Sequence, residues 1–248
     1  MQANSVEEVL ELIDELIIRF KEDQNPLGYF AAIYKMTTQK VHDLVEKGAF
    51  QDNERMKRMD VIFANRYFKA MTQFFENEPA SGPWQMAFDA IRNKDLIVDQ
   101  HFFLSANAHI NYDLGIAAAE TCPGDSIHDF ADDFNTMNQV LGSLYTKVNY
   151  DIAKIYSPLY RWLRWLSNLM LKLENAFMIR ERDDAWANAV FFATHPPAEK
   201  EQHQAQLEQK SANMGHRISH PGLILRLICR HISRKEIGTV AYRISCIT

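Results

Sequence analysis

The sequence predicts an all-α protein, a single multi-helix orthogonal bundle built around a buried central helix. Three observations carry this. Glycine and proline number only 9 and 8 in 248 residues, about 7% against roughly 12% in average usage, so turn-rich all-β designs are disfavoured. Apolar residues recur at helical spacing along most of the chain. Neither an alternating strand of convincing length nor a fixed-period repeat is present. Hydrophobic residues at 47% and charged residues at 24% fit a globular core.

The first helix opens on a capping box, Ser5-Val-Glu-Glu8, and continues through Val6, Leu10, Ile13, Ile17 and Phe20. Asn25-Pro26 breaks it. A second helix runs from about Gly28 to Lys47 and stops at Gly48. The third begins near Asp52 or Asn53, with Met56, Phe63, Tyr67, Met71 and Phe74 as its apolar stripe and Asp60 inside that stripe. Glu78 to Pro83 is a loop, and Trp84 to Ile91 a short helix. The central helix spans Asp95–Ala119, and Thr121 to Ser126 is a second loop. Phe130, Met137, Leu141, Leu144, Val148 and Ile152 mark the next amphipathic helix. Ser157-Pro158 starts a helical pattern that runs through Leu173, and another covers Ala176 to Thr194 before His195-Pro-Pro197. Ala198 to Asn213 is polar, an exposed helix or a connection. His220-Pro-Gly222 opens a last helix whose apolar face is Ile224, Leu227, Ile228 and Ile232. The expected division is a helical core domain, 1–197, and a C-terminal helical extension, 198–248, packing on it.

Composition narrows the partners. The formal charge is −5, which lacks the broad positive field of nonspecific nucleic-acid binding. Cys122, Cys229 and Cys246 are an odd number without a CxxC pair, so reduced thiols in a cytoplasmic protein are expected. The N-terminus has no secretory pattern, and no run of 18 apolar residues forms a transmembrane segment. From Arg217 onward the chain is +5, leaving −10 for the rest. Arg226, Arg230 and Arg234 form a stripe, read as a solvated face of a helix docked on its own acidic domain, with a membrane-surface or partner-binding helix as the alternative.

The central helix is the informative segment. Between Lys94 and Glu120 there is no lysine, arginine or glutamate, which places it among other elements. Asn107 and Asn111 share one flank of its apolar face, His109 and Asp113 the other. Such buried groups need partners, since each costs roughly 1–3 kcal/mol when left without one. Asp60 is a natural neighbour, and Arg55, Arg66, Arg180 and Arg182 are candidate cationic partners.

Four segments carry a family resemblance. Asn107-Ala-His-Ile-Asn-Tyr-Asp-Leu114, Arg58-Met-Asp-Val-Ile-Phe-Ala-Asn-Arg-Tyr67, Phe177-Met-Ile-Arg-Glu-Arg-Asp-Asp-Ala-Trp186 and Asp133-Phe-Asn-Thr-Met-Asn138 occur in this order between Leu27 and Val190. Together they resemble a bacterial family of all-helical proteins of unknown function. The resemblance implies a helical fold with polar residues meeting around the Asn-His-Asn-Asp helix. It brings no activity, cofactor or catalytic residue.

Three readings of this cluster stand open. His109 and Asp113 at i and i+4 could ligate a divalent metal, with His101 two turns earlier and Asp60 from a neighbouring helix. The chain lacks His-Glu-x-x-His and the paired Glu-x-x-His of di-iron bundles. The cluster could instead be a structural network. Or it lines a small-molecule pocket, with His109, Asp113 and Asp60 as catalytic candidates and Asn107, Asn111, Arg182 and Tyr67 as binding candidates. The expected function is therefore a cytoplasmic small-molecule-binding protein or enzyme, with or without a metal. Its alternative is a non-catalytic helical scaffold or interaction protein. The sequence specifies no cofactor and no oligomeric state.

Overall fold

The computed structural model describes residues 1–157 and 182–247, without the side chains of residues 138, 139, 141–143, 145 and 146. Among the described residues every regular element is helical, and the one β feature is an isolated bridge between Tyr156 and Glu236. The helical pattern expected from Pro158 to Leu173, and residues 176–181 of the helix expected from Ala176 to Thr194, Arg180 among them, lie outside the described residues.

Helix α1 (Val6–Glu22) starts where the Ser5 hydroxyl accepts the Glu8 N–H at 3.2 Å. The Glu8 carboxylate takes the Asn4 N–H at 2.7 Å, so the capping box closes one residue further out than the sequence pattern implies. Helix α2 (Leu27–Glu46) follows Asn25-Pro26 and is stopped by Gly48, whose φ of +67° favours glycine. Helix α3 (Asn53–Glu76) is capped by Asp52, which accepts the Arg55 N–H at 2.9 Å. Helix α4 (Gly82–Ala90) has proline in its first turn.

The central helix has three parts, α5 (Val98–Ala106), a π-helical segment (Asn107–Leu114) and α6 (Gly115–Thr121). It begins at Val98 rather than Asp95, because the buried Glu236 carboxylate accepts the Val98 N–H at 2.8 Å. A charge at a helix N-terminus satisfies an orphan donor and the macrodipole together. A 3₁₀ turn (Gly124–Phe130) leads into α7 (Ala131–Ala153). Residues 182–194 form α8, followed by α9 (Pro197–Ser219), α10 (Leu223–Ser233) and α11 (Val240–Ile247).

Polar α9 packs through small residues. Its buried positions are Leu207, Ser211, Gly215 and Ser219, four apart, which brings its backbone close to α4 and the π segment. A Cβ at Gly215 would lie 3.2 Å from that of Met86. The eight-residue α11, buried through Ile244 and Ile247 against α1 and α2, is not legible in the sequence pattern. In α10 the expected face is not the packed one. Cys229 is buried and Leu225 and Ile232 half-buried, whereas Ile224, Leu227 and Ile228 face outward. The ion pair of Arg230 with Asp95 (3.3 Å) and the Tyr156–Glu236 bridge set this rotation.

Two buried apolar clusters result. One unites α1 to α5 with the end of α7 and α11, and the other joins the facing ends of α2 and α3 to α6, the 3₁₀ turn, the start of α7 and α8. The π segment is their seam: Ala108 belongs to the first and Tyr112 to the second. No helix among the described residues is long and apolar enough to cross a membrane.

Candidate functional site

The π segment coincides with Asn107-Ala-His-Ile-Asn-Tyr-Asp-Leu114. Its i→i+5 hydrogen bonds widen the turn, a distortion frequent at functional positions. Residues four apart still lie side by side, so both pairs read from the sequence meet, on opposite flanks.

On the α9 flank the Asn111 side-chain amide donates to Asn107 Oδ1 at 2.8 Å, and the Asn107 amide donates to the Ser211 carbonyl at 2.9 Å. These amides tie the π segment to α9. On the other flank Asp113 is buried and collects donors. Arg66 Nε reaches Oδ1 at 3.0 Å, and Trp84 Nε1 reaches Oδ2 at 2.9 Å. His109 Nδ1 lies 3.4 Å from Oδ2. A carboxylate ion-paired with arginine only accepts, so Nδ1 carries the imidazole hydrogen and Nε2 is left as a bare acceptor.

The His109 ring is held in an aromatic cage. Phe63 stacks on it with centroids 3.6 Å apart and planes 5° from parallel, and Tyr34 meets it edge-on at 4.8 Å. Phe30, Tyr67 and Trp84 complete the enclosure at 5.7 to 6.1 Å. Burial disfavours the imidazolium and lowers the His109 pKa, and hydrogen bonding to Asp113 opposes that only in part. Nε2 has no hydrogen-bond partner among the described residues.

His109 is part of the wall of a cavity of about 150 Å³ between α2, α3, the central helix, α7 and the first turn of α8. The wall is mostly apolar, with Ile33, Val41, Met56, Phe103, Leu114, Phe134 and Val148 among its residues. Asp60 opens onto the same space. It is buried, its Oδ2 has no partner among the described residues, and desolvation lifts its pKa to about 7. Tyr34 and Thr38, one turn apart on α2, also line it, with their hydroxyls close to each other. Burial first, and the nearby Asp60 charge second, push the Tyr34 phenol well above its ordinary value.

The structure thus brings His109, Asp60 and Arg182 to one cavity and sets Asp113 behind His109. Buried Arg182 contributes from the start of α8, and desolvation lowers its pKa. Tyr67 is packed beside the imidazole, not on the cavity wall, and burial pushes its phenol above its ordinary value. Asn107 and Asn111 face α9 instead. Of the other arginines, Arg66 reaches Asp113, while Arg55 pairs with buried Asp133 at 2.9 Å. His101 packs against Tyr29, and desolvation lowers its pKa to about 4. Among the described residues no three His, Cys, Asp or Glu side chains converge as a metal site would require. Sequence reasoning missed Trp84, Phe63, Tyr34 and Thr38. Only Trp84 carried a signal, since a buried indole N–H needs an acceptor.

A family model described as a family of unknown function (DUF5995) matches residues 6–221. The chain belongs to this family. The match extends beyond Leu27 to Val190, the span of the resemblance, at both ends and takes in α1 through α9 with the whole π segment. No curated protein and no solved structure matches the chain.

Proposed function

We propose that this DUF5995 protein binds a small, mainly apolar molecule in the cavity beside the π segment and presents its polar group to Asp60 and His109. The carrying observation is that two buried titratable side chains on the wall of one apolar cavity, Asp60 and His109, each hold a polar atom, Oδ2 and Nε2, that has no hydrogen-bond partner among the described residues. Leaving such atoms unsatisfied costs roughly 1–3 kcal/mol each, a cost a ligand's hydrogen bonds would remove. Dry apolar cavities of about this size accommodate a benzene-sized molecule.

The arrangement also suits proton transfer. Asp113 fixes the imidazole tautomer, so Nε2 would act as the base toward an O–H or N–H of the bound molecule. Asp60, with a pKa near 7, would hold or release a proton at neutral pH. Arg182 would limit the cavity at the α8 end. In this reading Asp60, His109 and Asp113 are the working groups, Arg182 shapes the space, Tyr67 packs beside the imidazole, and Asn107 and Asn111 fix the packing. The unpaired thiols at Cys122, Cys229 and Cys246 suit the cytoplasm of a bacterial cell.

Phenol, benzylamine and benzene are suitable probes, followed by ligand-observed NMR and thermal shift. Phenol or benzylamine should bind at least about tenfold more tightly than benzene, and Asp60→Leu and His109→Phe should each erase that preference. Equal behaviour of all three probes in the wild-type protein, with His109→Phe destabilised by several kcal/mol, would leave a helical scaffold with a purely structural network.

A further inference from the structure

Helix α10 presents apolar surface that no element among the described residues covers. Leu223, Ile224, Leu227 and Ile228 are 75, 77, 57 and 49% exposed, and they share an arc of about 140° at the 3.6 residues per turn of an α-helix. The inward side is already taken by Leu225, Cys229 and Ile232. Along one border of the outward arc run Arg226, Arg230 and Arg234, all exposed, with Lys235 next in sequence. Aliphatic side chains of this size, adjacent on an outer face and rimmed by cations, differ from the single exposed leucines any surface carries.

We infer that α10 docks on an anionic lipid surface, sinking its Leu/Ile face into the acyl boundary while its arginines meet the headgroups. Charge complementarity selects this occupant over a second copy of the chain. From Gln209 to Lys235 there is no aspartate or glutamate, and the neighbouring Asp95 is already paired with Arg230 at 3.3 Å, so α10 of another copy brings Arg226 and Arg234 no carboxylate of its own. Anionic headgroups do, and each cation near such a surface strengthens binding roughly fivefold. The overall charge of −5 keeps the rest of the molecule off the membrane and orients α10 toward it. The family match ends at Pro221, directly before this helix, so the surface lies beyond the matched residues.

Co-sedimentation of the full chain with phosphatidylcholine vesicles, with and without phosphatidylglycerol, tests the inference. Partitioning should rise at least about tenfold with the anionic lipid and fall in high salt. It should be lost in the double variant Ile224→Glu/Leu227→Glu, whose side chains are outside the core and whose circular dichroism and melting should match wild type. Failure to bind anionic vesicles, or binding that the double variant retains, overturns the inference. So does a concentration-dependent dimer, seen by light scattering without vesicles and abolished by the same variant, because that would make a second copy the occupant.

Discussion

The two flanks of the π segment bury the same kinds of group and treat them oppositely. Toward α9, the Asn107 and Asn111 amides bond to each other and to the Ser211 carbonyl, and the small residues of α9 close the space around them. Toward α2 and α3, Asp60 Oδ2 and His109 Nε2 have no partner among the described residues, and both side chains line a cavity. Asp113 divides the two regimes, since it lies on the cavity flank yet is supplied by arginine, indole and imidazole. Burial of polar groups therefore does not mark a site by itself. Burial without satisfaction, next to empty volume, does.

The largest expected effect comes from Asp113→Ala. It takes the acceptor from the buried Trp84 N–H and from His109 Nδ1 and leaves Arg66 only its pair with Glu120, and should cost about 3–5 kcal/mol in denaturant-induced unfolding. A loss below about 1 kcal/mol would show that the network does not hold the two flanks together.

Next is the pH dependence of Asp60. Its folded pKa of about 7 lies above its ordinary 3.8, so between these values the native state keeps a proton that the unfolded chain has lost. Its contribution to stability is therefore full below about pH 4 and falls as pH rises to about 7, by roughly 4 kcal/mol in total. Glu236, also raised to about 7 by desolvation, titrates over the same window, so the comparison must be with Asp60→Asn. Relative to wild type, that variant should gain stability steadily from pH 4 to pH 8. Parallel curves for the two proteins would place the Asp60 carboxyl in a solvated setting.

On the satisfied flank, Asn107→Ala removes two hydrogen bonds, taking the acceptor from the Asn111 amide and the second donor from the helical Ser211 carbonyl, a loss of roughly 2–3 kcal/mol. The probe preference at the cavity should survive this change, and its disappearance would mean that the flanks act as one unit. The smallest expected effect is at Gly115, where a Cβ would lie 2.9 Å from both the Ala185 carbonyl and the Asn188 Cβ. Gly115→Ala should force α6 and α8 apart at about 1–3 kcal/mol, measured by thermal or chemical unfolding. An unchanged midpoint would show that the α6–α8 contact yields easily.

Much of this contrast is written in local sequence. The absence of lysine, arginine and glutamate between Lys94 and Glu120 marks burial, and four-residue spacing pairs the amides with each other and His109 with Asp113. Ser5, Asp52 and Gly48 announce helix ends through chemistry that acts within a few residues. The cavity has no such signal, because it arises where side chains from α2, α3, α7 and α8 fail to meet. The π turn is equally silent: its bounding residues Ala106 and Gly115 have ordinary helical dihedrals, and the extra width comes from how neighbouring helices pack. The direction α10 faces was also hidden, since a helix apolar on several sides leaves its burial to partners distant in sequence, here Asp95 and Tyr156.

The acceptor for the first turn of the central helix comes from Glu236, which follows Val98 by 138 residues. During synthesis that helix leaves the ribosome long before its cap exists, and the buried carboxylate arrives only 138 residues later. The middle of the molecule is thus completed by a segment distant in sequence, a non-local closure that slows folding and favours a single late, cooperative step over piecemeal assembly.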